Sequence, residues 1–220
     1  MLLDLSHFDA AIVDLDGTLV DTLGDFVAAL GGMLDDLGLP PVAAEAVSAM
    51  VGKGSEHLIA SVLRHVGAAP ERFDAAWQRY QHHYLAINGR HSRVYPGVRE
   101  GLQALRARGL RLACLTNKPG AFARPLLAAK DLDGFFAQVF GGDAFERKKP
   151  DPLPLLKTCE ALGSLPARTL MIGDSSNDAR AARAAGCPVL LVGYGYNHGE
   201  PVRSAGADGY LDSLAELAAS

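Results

Sequence analysis

The feature that most constrains this chain is the placement of its short apolar runs, each of strand length and separated by helical patterns. Phe8–Val13 comes first and runs straight into Asp14, whereas Arg111–Leu115, Gln138–Phe140, Thr169–Ile172 and Pro188–Val192 all lie in the second half of the chain. Among these later runs, Val98, Leu102 and Leu105 recur at helical spacing ahead of Gly109, and Asn177–Ala185 is closed by Gly186 and Pro188. Alternation of this kind predicts an α/β fold, a doubly wound parallel sheet with helices on both faces.

Residues 22 to 92 break that rhythm. Thr22 is placed to cap a helix with Leu23, Phe26, Val27, Leu30, Leu34 and Leu37 along one face, ended by Gly38 and Pro40. Three more helical segments follow, near 43–50, 55–66 and 71–87, with no strand-like run among them. About seventy residues of helix inserted after the first strand are too many for a crossover. They predict a separate all-helical domain over 22–92, with 1–21 and 93–220 forming the sheet domain and Val94-Tyr95-Pro96-Gly97 as the hinge.

Composition narrows the function classes. The 220 residues carry 21 Lys plus Arg against 25 Asp plus Glu, a net charge of −4, so no basic excess is available to neutralise a nucleic acid. The amino terminus lacks a basic segment, and the longest stretch free of charged residues, Ala184 to Gly199, is interrupted by Gly186, Pro188, Gly193 and Gly195, so no membrane span is expected. Cys114, Cys159 and Cys187 are far apart, form no CxxC and sit in apolar stretches, which reads as buried free thiols in a reducing compartment. The expectation is a cytoplasmic protein, monomeric or homodimeric.

Asp14-Leu15-Asp16-Gly17-Thr18 is the sharpest chemical signal. Side chains two apart on an extended chain point the same way, about 6–7 Å from each other, and ligands of parallel sheets bind beyond the carboxyl ends of strands, where this pair falls. Taken alone, the two acids could also cap a strand end, with Gly17 giving the bend. A second cluster, Gly173-Asp174-Ser175-Ser176-Asn177-Asp178, again delivers acids at the end of an apolar run; alone, it could also be a helix amino terminus with its cap and dipole partner. Two acidic strand ends in one sheet suggest a hard cation held by oxygen ligands, Mg²⁺. No histidine pair supports zinc, because His82 and His83 are adjacent and diverge on a helix. Leu115-Thr116-Asn117-Lys118 ends another run with a hydroxyl and backbone N–H donors, and Lys149 lies between Lys148 and Pro150-Asp151-Pro152.

These four segments, in this order, resemble those of the haloacid dehalogenase superfamily over essentially the whole chain. The family's fold is a Rossmann-like sheet, and the helical insert after strand one matches its helical cap type. The resemblance implies that Asp14 is the nucleophile forming an aspartyl-phosphate and that Asp16 protonates the leaving oxygen and then deprotonates the attacking water. It assigns Thr116, with Asn117 beside it, and Lys149 to the phosphoryl group. Asp14, the Asp16 carbonyl and Asp174 are the implied Mg²⁺ ligands, with Asp178 ligating or positioning the ion. Asp14, Asp174 and Asp178 together with a phosphomonoester dianion carry about five negative charges, which Mg²⁺ and Lys149 bring close enough to neutral for attack. Asp16 has to be protonated for the first step, which requires a pKa raised toward the working pH.

The second acid, Asp16, separates this chain from family members that cleave carbon–halogen bonds or phosphonates, which lack it, and favours phosphate monoesters. Lys53, between Gly52 and Gly54 in a turn of the helical insert, is placed to pair with a small anionic leaving group, though a solvated turn lysine reads equally well. The tract Val192–Glu200 is similar to the corresponding tract of bacterial phosphoglycolate phosphatases, which makes 2-phosphoglycolate the expected substrate. The alternatives are a phosphatase for a sugar phosphate or pyrophosphate, a sugar phosphomutase and, more remotely, a phospho-aspartate receiver, which needs no cap.

Overall fold

The computed structural model describes residues 3–218. In chain order, β1 (Ala10–Val13) leads through the short β2 (Val20–Asp21) into α1 (Leu23–Asp36), α2 (Ala44–Met50), α3 (Ser55–His65) and α4 (Phe73–Ile87), and β3 (Arg93–Val94) brings the chain back. Then α5 (Val98–Ala107), β4 (Arg111–Leu115), α6 (Gly120–Ala129), β5 (Gln138–Phe140), α7 (Leu153–Leu162), β6 (Thr169–Gly173), α8 (Ser176–Ala185), β7 (Val189–Val192) and β8 (Gly209–Leu211) follow.

Six strands form one parallel sheet in the order β5-β4-β1-β6-β7-β8. β1 is wholly buried because both of its faces are covered, which is why it reads as an unbroken apolar run. Ala11 and Val13 join Val98, Leu102, Leu126 and Leu127 on one face, while Ala10 and Ile12 join Leu155, Ala179 and Ala182 on the other. Register pairs Val13 with both Cys114 and Ile172, so Asp14, Thr116 and Asp174 emerge close together at one end of the sheet. The chain winds outward from β1 in both directions, which makes this end a topological switch point.

The four helices α1 to α4 surround a core of their own, with Phe26, Leu30 and Met33 of α1, Ile59 and Val62 of α3, and Tyr80 and Tyr84 of α4. Phe122 of α6 and Tyr196 from the sheet side join the same cluster and seat the helices over the carboxyl end of the sheet. β2 and β3 pair antiparallel, tying together the two chain segments that lead into and out of the helices.

Local signals differ from the outcome in three places. β8 has only three residues and gave no apolar run to read. α6 contains Pro125, which obscures its helical pattern. Thr22 does precede α1, but its side chain makes no cap bond; the hydroxyl donates instead to Asp16 Oδ1 at 2.8 Å, a charged and stronger acceptor. All three cysteines are buried and free, yet Cys159 and Cys187 are not apart in space, their sulfurs lying 3.9 Å from each other. Among the described residues no helix is long and apolar enough to cross a membrane.

Candidate active site

Asp14 stands one residue beyond β1. Its Oδ1 accepts from the Leu15 N–H at 2.7 Å and lies 3.1 Å from Lys149 Nζ. Lys149 also donates to Asp178 Oδ1 at 2.7 Å and to the Leu115 carbonyl at 2.9 Å, so one buried ammonium joins the ends of β1, β4 and β6. Burial disfavours its charge, but the charges of Asp14 and Asp178 outweigh that and hold the ammonium above its ordinary range.

Asp178 follows β6 on the first turn of α8. Its Oδ2 accepts from the N–H groups of Asp174 (3.3 Å) and Ser175 (3.1 Å) and from the Ser175 hydroxyl (2.7 Å), while Oδ1 takes Lys149. The helix-capping and site-building readings of this segment are therefore both realised by one side chain. Asp174 accepts from the Thr18 hydroxyl at 3.0 Å and from the Tyr196 N–H. Asp14, Asp174 and Asp178 each offer an oxygen within 4.8 Å of the others. Burial pushes the Asp14 carboxyl up to about 7, opposed by Lys149 and reinforced by Asp178. Burial, then Asp178 and Asp14, hold Asp174 well above the ordinary carboxylate range. Three crowded carboxylates, two of them resisting ionisation, with one ammonium among them, fit a divalent cation, and the all-oxygen donor set suits Mg²⁺.

Asp16 belongs to a second cluster. Its Oδ1 accepts from Thr22 and, at 2.8 Å, from Lys118 Nζ. The Lys118 side chain is 1% exposed and its ammonium lies over the rings of Phe26 (4.3 Å to the centroid) and Tyr84 (4.8 Å), both from the helical insert. A narrow cavity opens between the clusters, lined by Asp14, Asp16, Thr116, Asn117 and Lys118 from below and by Phe26, Val51, Gly52, Gly54, Ser55 and Leu58 from the helices.

The candidate residues in the loop after β4 divide. Thr116 is buried, lines the cavity and accepts from the Lys118 N–H at 3.2 Å. Asn117 lines it too, but its amide is committed: Nδ2 donates to the carbonyls of Gly52 (3.1 Å) and Lys149 (2.9 Å), and Oδ1 accepts from the Lys149 N–H (3.0 Å). Both donors of that side chain are thus spent on holding the Lys149 loop and the turn of residues 51–54. Lys53 is exposed and lies outside the cavity lining, although Gly52 and Gly54 on either side of it are in that lining.

The tract 193–199 has a structural explanation. Tyr196 donates its N–H to Asp174, and its hydroxyl accepts from the Thr22 (2.9 Å) and Leu23 (3.0 Å) N–H groups and bonds Asp21. It therefore supplies the cap of α1 that Thr22 withholds. Tyr194 donates to the Thr18 carbonyl at 2.9 Å, and Asn197 Oδ1 accepts from the Ser176 N–H at 2.8 Å. Gly17 and Gly195 are required here: a Cβ on either would come within 2.5 Å of Asp174, and Gly17 also has φ +83°. Thr18, Thr22, Lys118 and Tyr196 are site residues that the sequence does not single out for chemistry; the only local hint is that Lys118 stands beside Thr116 at a strand end, between apolar Leu115 and Pro119.

Comparison with known proteins agrees with this geometry. A model of the haloacid dehalogenase-like hydrolase family matches residues 8–186. The chain is 46% identical over 212 residues to a phosphoglycolate phosphatase of Thiobacillus denitrificans, covering 95% of this chain and 93% of that one. It is 45% identical over 210 residues to a phosphoglycolate phosphatase of Nitrosospira multiformis, covering 94% and 92%. The crystal structure of a predicted phosphoglycolate phosphatase from Haemophilus somnus 129pt superposes with a TM-score of 0.92 at 33% identity, covering 96% of both chains. With the acids after β1 and β6, Thr116 and Lys149 gathered at one end of a doubly wound sheet, the chain belongs to the haloacid dehalogenase-like hydrolase family.

Proposed function

We propose that the protein hydrolyses phosphomonoesters with Mg²⁺ through a phosphoryl group carried on Asp14, and that its substrate is 2-phosphoglycolate, released as glycolate and phosphate. The observation that carries this reading is the placement of Asp14 against buried Lys149 at the floor of a lidded cavity that Asp16 also lines. The names of its relatives support the substrate.

In the first step an Asp14 oxygen attacks phosphorus, the ester bond breaks, and Asp16 gives its proton to the leaving oxygen. In the second, Asp16 takes a proton from water as the water attacks phosphorus, and the Asp14–phosphorus bond breaks. Lys149 and the Thr116 hydroxyl hold the phosphoryl oxygens, where charge grows in the transition state. Mg²⁺, when bound by Asp14, Asp174 and the Asp16 carbonyl, supplies the positive charge that lets an anionic nucleophile meet an anionic ester. Asp178 acts by position: its four hydrogen bonds use the lone-pair sites of a carboxylate, about four in number, so it orients Lys149 and the start of α8.

Residues 22–92 serve as a cap domain. Gly52 O accepts from both Asn117 and Asn177, and Lys148 pairs with Glu56 at 2.7 Å, so the turn of residues 51–54 closes on the sheet domain through polar bonds that can be broken and remade. A closable cavity suits turnover of a small ester; a receiver module has no use for one. Exposed Lys53 adds positive charge within that turn.

The test is phosphate release from 2-phosphoglycolate, hexose phosphates, pyrophosphate and p-nitrophenyl phosphate, with Mg²⁺ and with a chelator. Mg²⁺-dependent turnover with a strong preference for 2-phosphoglycolate is expected. Turnover spread evenly over the panel would discard the substrate, and silence on every ester would discard the hydrolase.

A further inference from the structure

Every cation buried at this site has to be accounted for by the anions it meets. Lys149 meets three oxygens. Lys118 is just as buried, but its one hydrogen-bonded partner among the described residues is Asp16, and the remainder of the ammonium faces two aromatic rings. An ammonium has three donors, and ring faces stabilise a cation without accepting those donors fully. Among the described residues lining the cavity, Lys118 is the one cation.

One further feature faces the same space, and a second lies against Lys118. Gly54 and Ser55 line the cavity at the amino terminus of α3, an eleven-residue helix with no side-chain cap, so its first N–H groups present partial positive charge there. The Tyr84 ring that touches Lys118 carries a fully buried hydroxyl with no hydrogen-bond partner. Such a group costs free energy unless something arrives to accept from it. A buried cation with spare donors and an uncapped helix amino terminus, both lining one cavity, are together complementary to an anion with several acceptor oxygens.

We propose that Lys118 is a specificity-determining residue that binds the carboxylate of the leaving group, helped by the amino terminus of α3. This rests on 2-phosphoglycolate as substrate and adds the residue that reads it. In that ester the carboxyl carbon is separated from the ester oxygen by one methylene, so a group that grips the carboxylate has to sit beside the group that protonates the ester oxygen. Lys118 meets that condition, 2.8 Å from Asp16. Val51, Phe26 and Leu58 leave apolar wall for the methylene. A longer acid would carry its carboxylate past Lys118, and a neutral leaving group would leave the ammonium underpaired.

The test compares kcat/KM for 2-phosphoglycolate with that for 2-hydroxyethyl phosphate, a neutral ester of the same length, in the wild type, Lys118→Met and Lys118→Arg. The wild type is expected to prefer the acid by about 10- to 100-fold, the worth of a charged hydrogen bond. Lys118→Met is expected to bring the two esters within about threefold, mainly by raising KM for the acid, and Lys118→Arg to restore part of the preference. A preference that survives in Lys118→Met overturns the proposal, as does one that is lost in Lys53→Ala instead. A wild type that turns over both esters equally overturns the substrate reading itself, which is a different failure. Melting curves confirm folding, and if Lys118→Met does not fold, Lys118→Gln reads the same ratio.

Discussion

Two buried lysines, Lys118 in the cavity lining and Lys149 paired with Asp14, show how differently a fold can use a buried charge. The side chains of Lys149 and Lys118 are 2% and 1% exposed, so burial does not separate them. Partners do. Lys149 meets two carboxylates and a carbonyl and is locked where β1, β4 and β6 end. Lys118 meets one carboxylate and two rings that belong to the helical insert. In the proposed reaction, the fully partnered charge serves the part of the substrate common to all phosphate esters. The underpartnered one, held against rings of the helical insert, is the one proposed to respond to the part that varies.

The strongest way to break this comparison is to neutralise each lysine. Lys149→Met should leave Asp14 and Asp178 buried against each other and cost about 3–5 kcal/mol in urea unfolding, because one member of a buried ion network is removed. Its kcat should fall by about 100- to 1,000-fold with the loss of a transition-state cation. Lys118→Met should cost less, about 2–3 kcal/mol, because it leaves one carboxylate rather than two without its ion-pair partner and Thr22 still donates to Asp16. Equal losses in the two variants would erase the distinction.

Cation binding sharpens the same contrast. The folded-state pKa of Asp14 is raised to about 7 from 3.8, so its contribution to stability is present below the lower value and is lost as pH rises through the higher one. Mg²⁺ should reverse that loss, because it competes with protons for Asp14 and Asp174. At about 100 times its Kd, Mg²⁺ should stabilise the protein by about 2.7 kcal/mol, read as a rise in Tm. At fixed Mg²⁺ the rise should grow from about pH 6 to about pH 8. In Lys118→Met the rise should persist, since Lys118 touches none of the three clustered acids. A Tm indifferent to Mg²⁺ throughout would remove the cation from the account.

The smallest expected effect belongs to Tyr196→Phe. It leaves the Thr22 and Leu23 N–H groups without their acceptor and should cost about 1–2 kcal/mol, like the loss of a helix cap. Thr22→Val would instead free one of the two bonds on Asp16 Oδ1.

What could be read from the chain alone follows this same divide. Asp14, Thr116 and Asp174 were legible because each ends an apolar run that can only be a buried strand, and parallel register then brings the strand ends together. The helical insert was legible from its period and from the lack of any strand-like run. Lys118, Tyr196 and Thr22 were not, because their roles depend on partners that packing brings from far away: 102 residues separate Lys118 from Asp16, and 174 separate Tyr196 from Thr22. The Thr22 reading followed the local rule for helix caps, and a nearby carboxylate outcompeted it. The meeting of Cys159 with Cys187 arises in the same way, from α7 packing beside α8 and the chain that leaves it.

The central claim is that Asp14 carries the phosphoryl group. It is tested most directly by mixing enzyme, Mg²⁺ and 2-phosphoglycolate, quenching in acid during turnover, reducing with borohydride and mapping the product by peptide mass spectrometry. The account predicts homoserine in place of aspartate at position 14 and at no other aspartate, with none in Asp14→Asn. Homoserine at another position, or none while phosphate release continues, would contradict it.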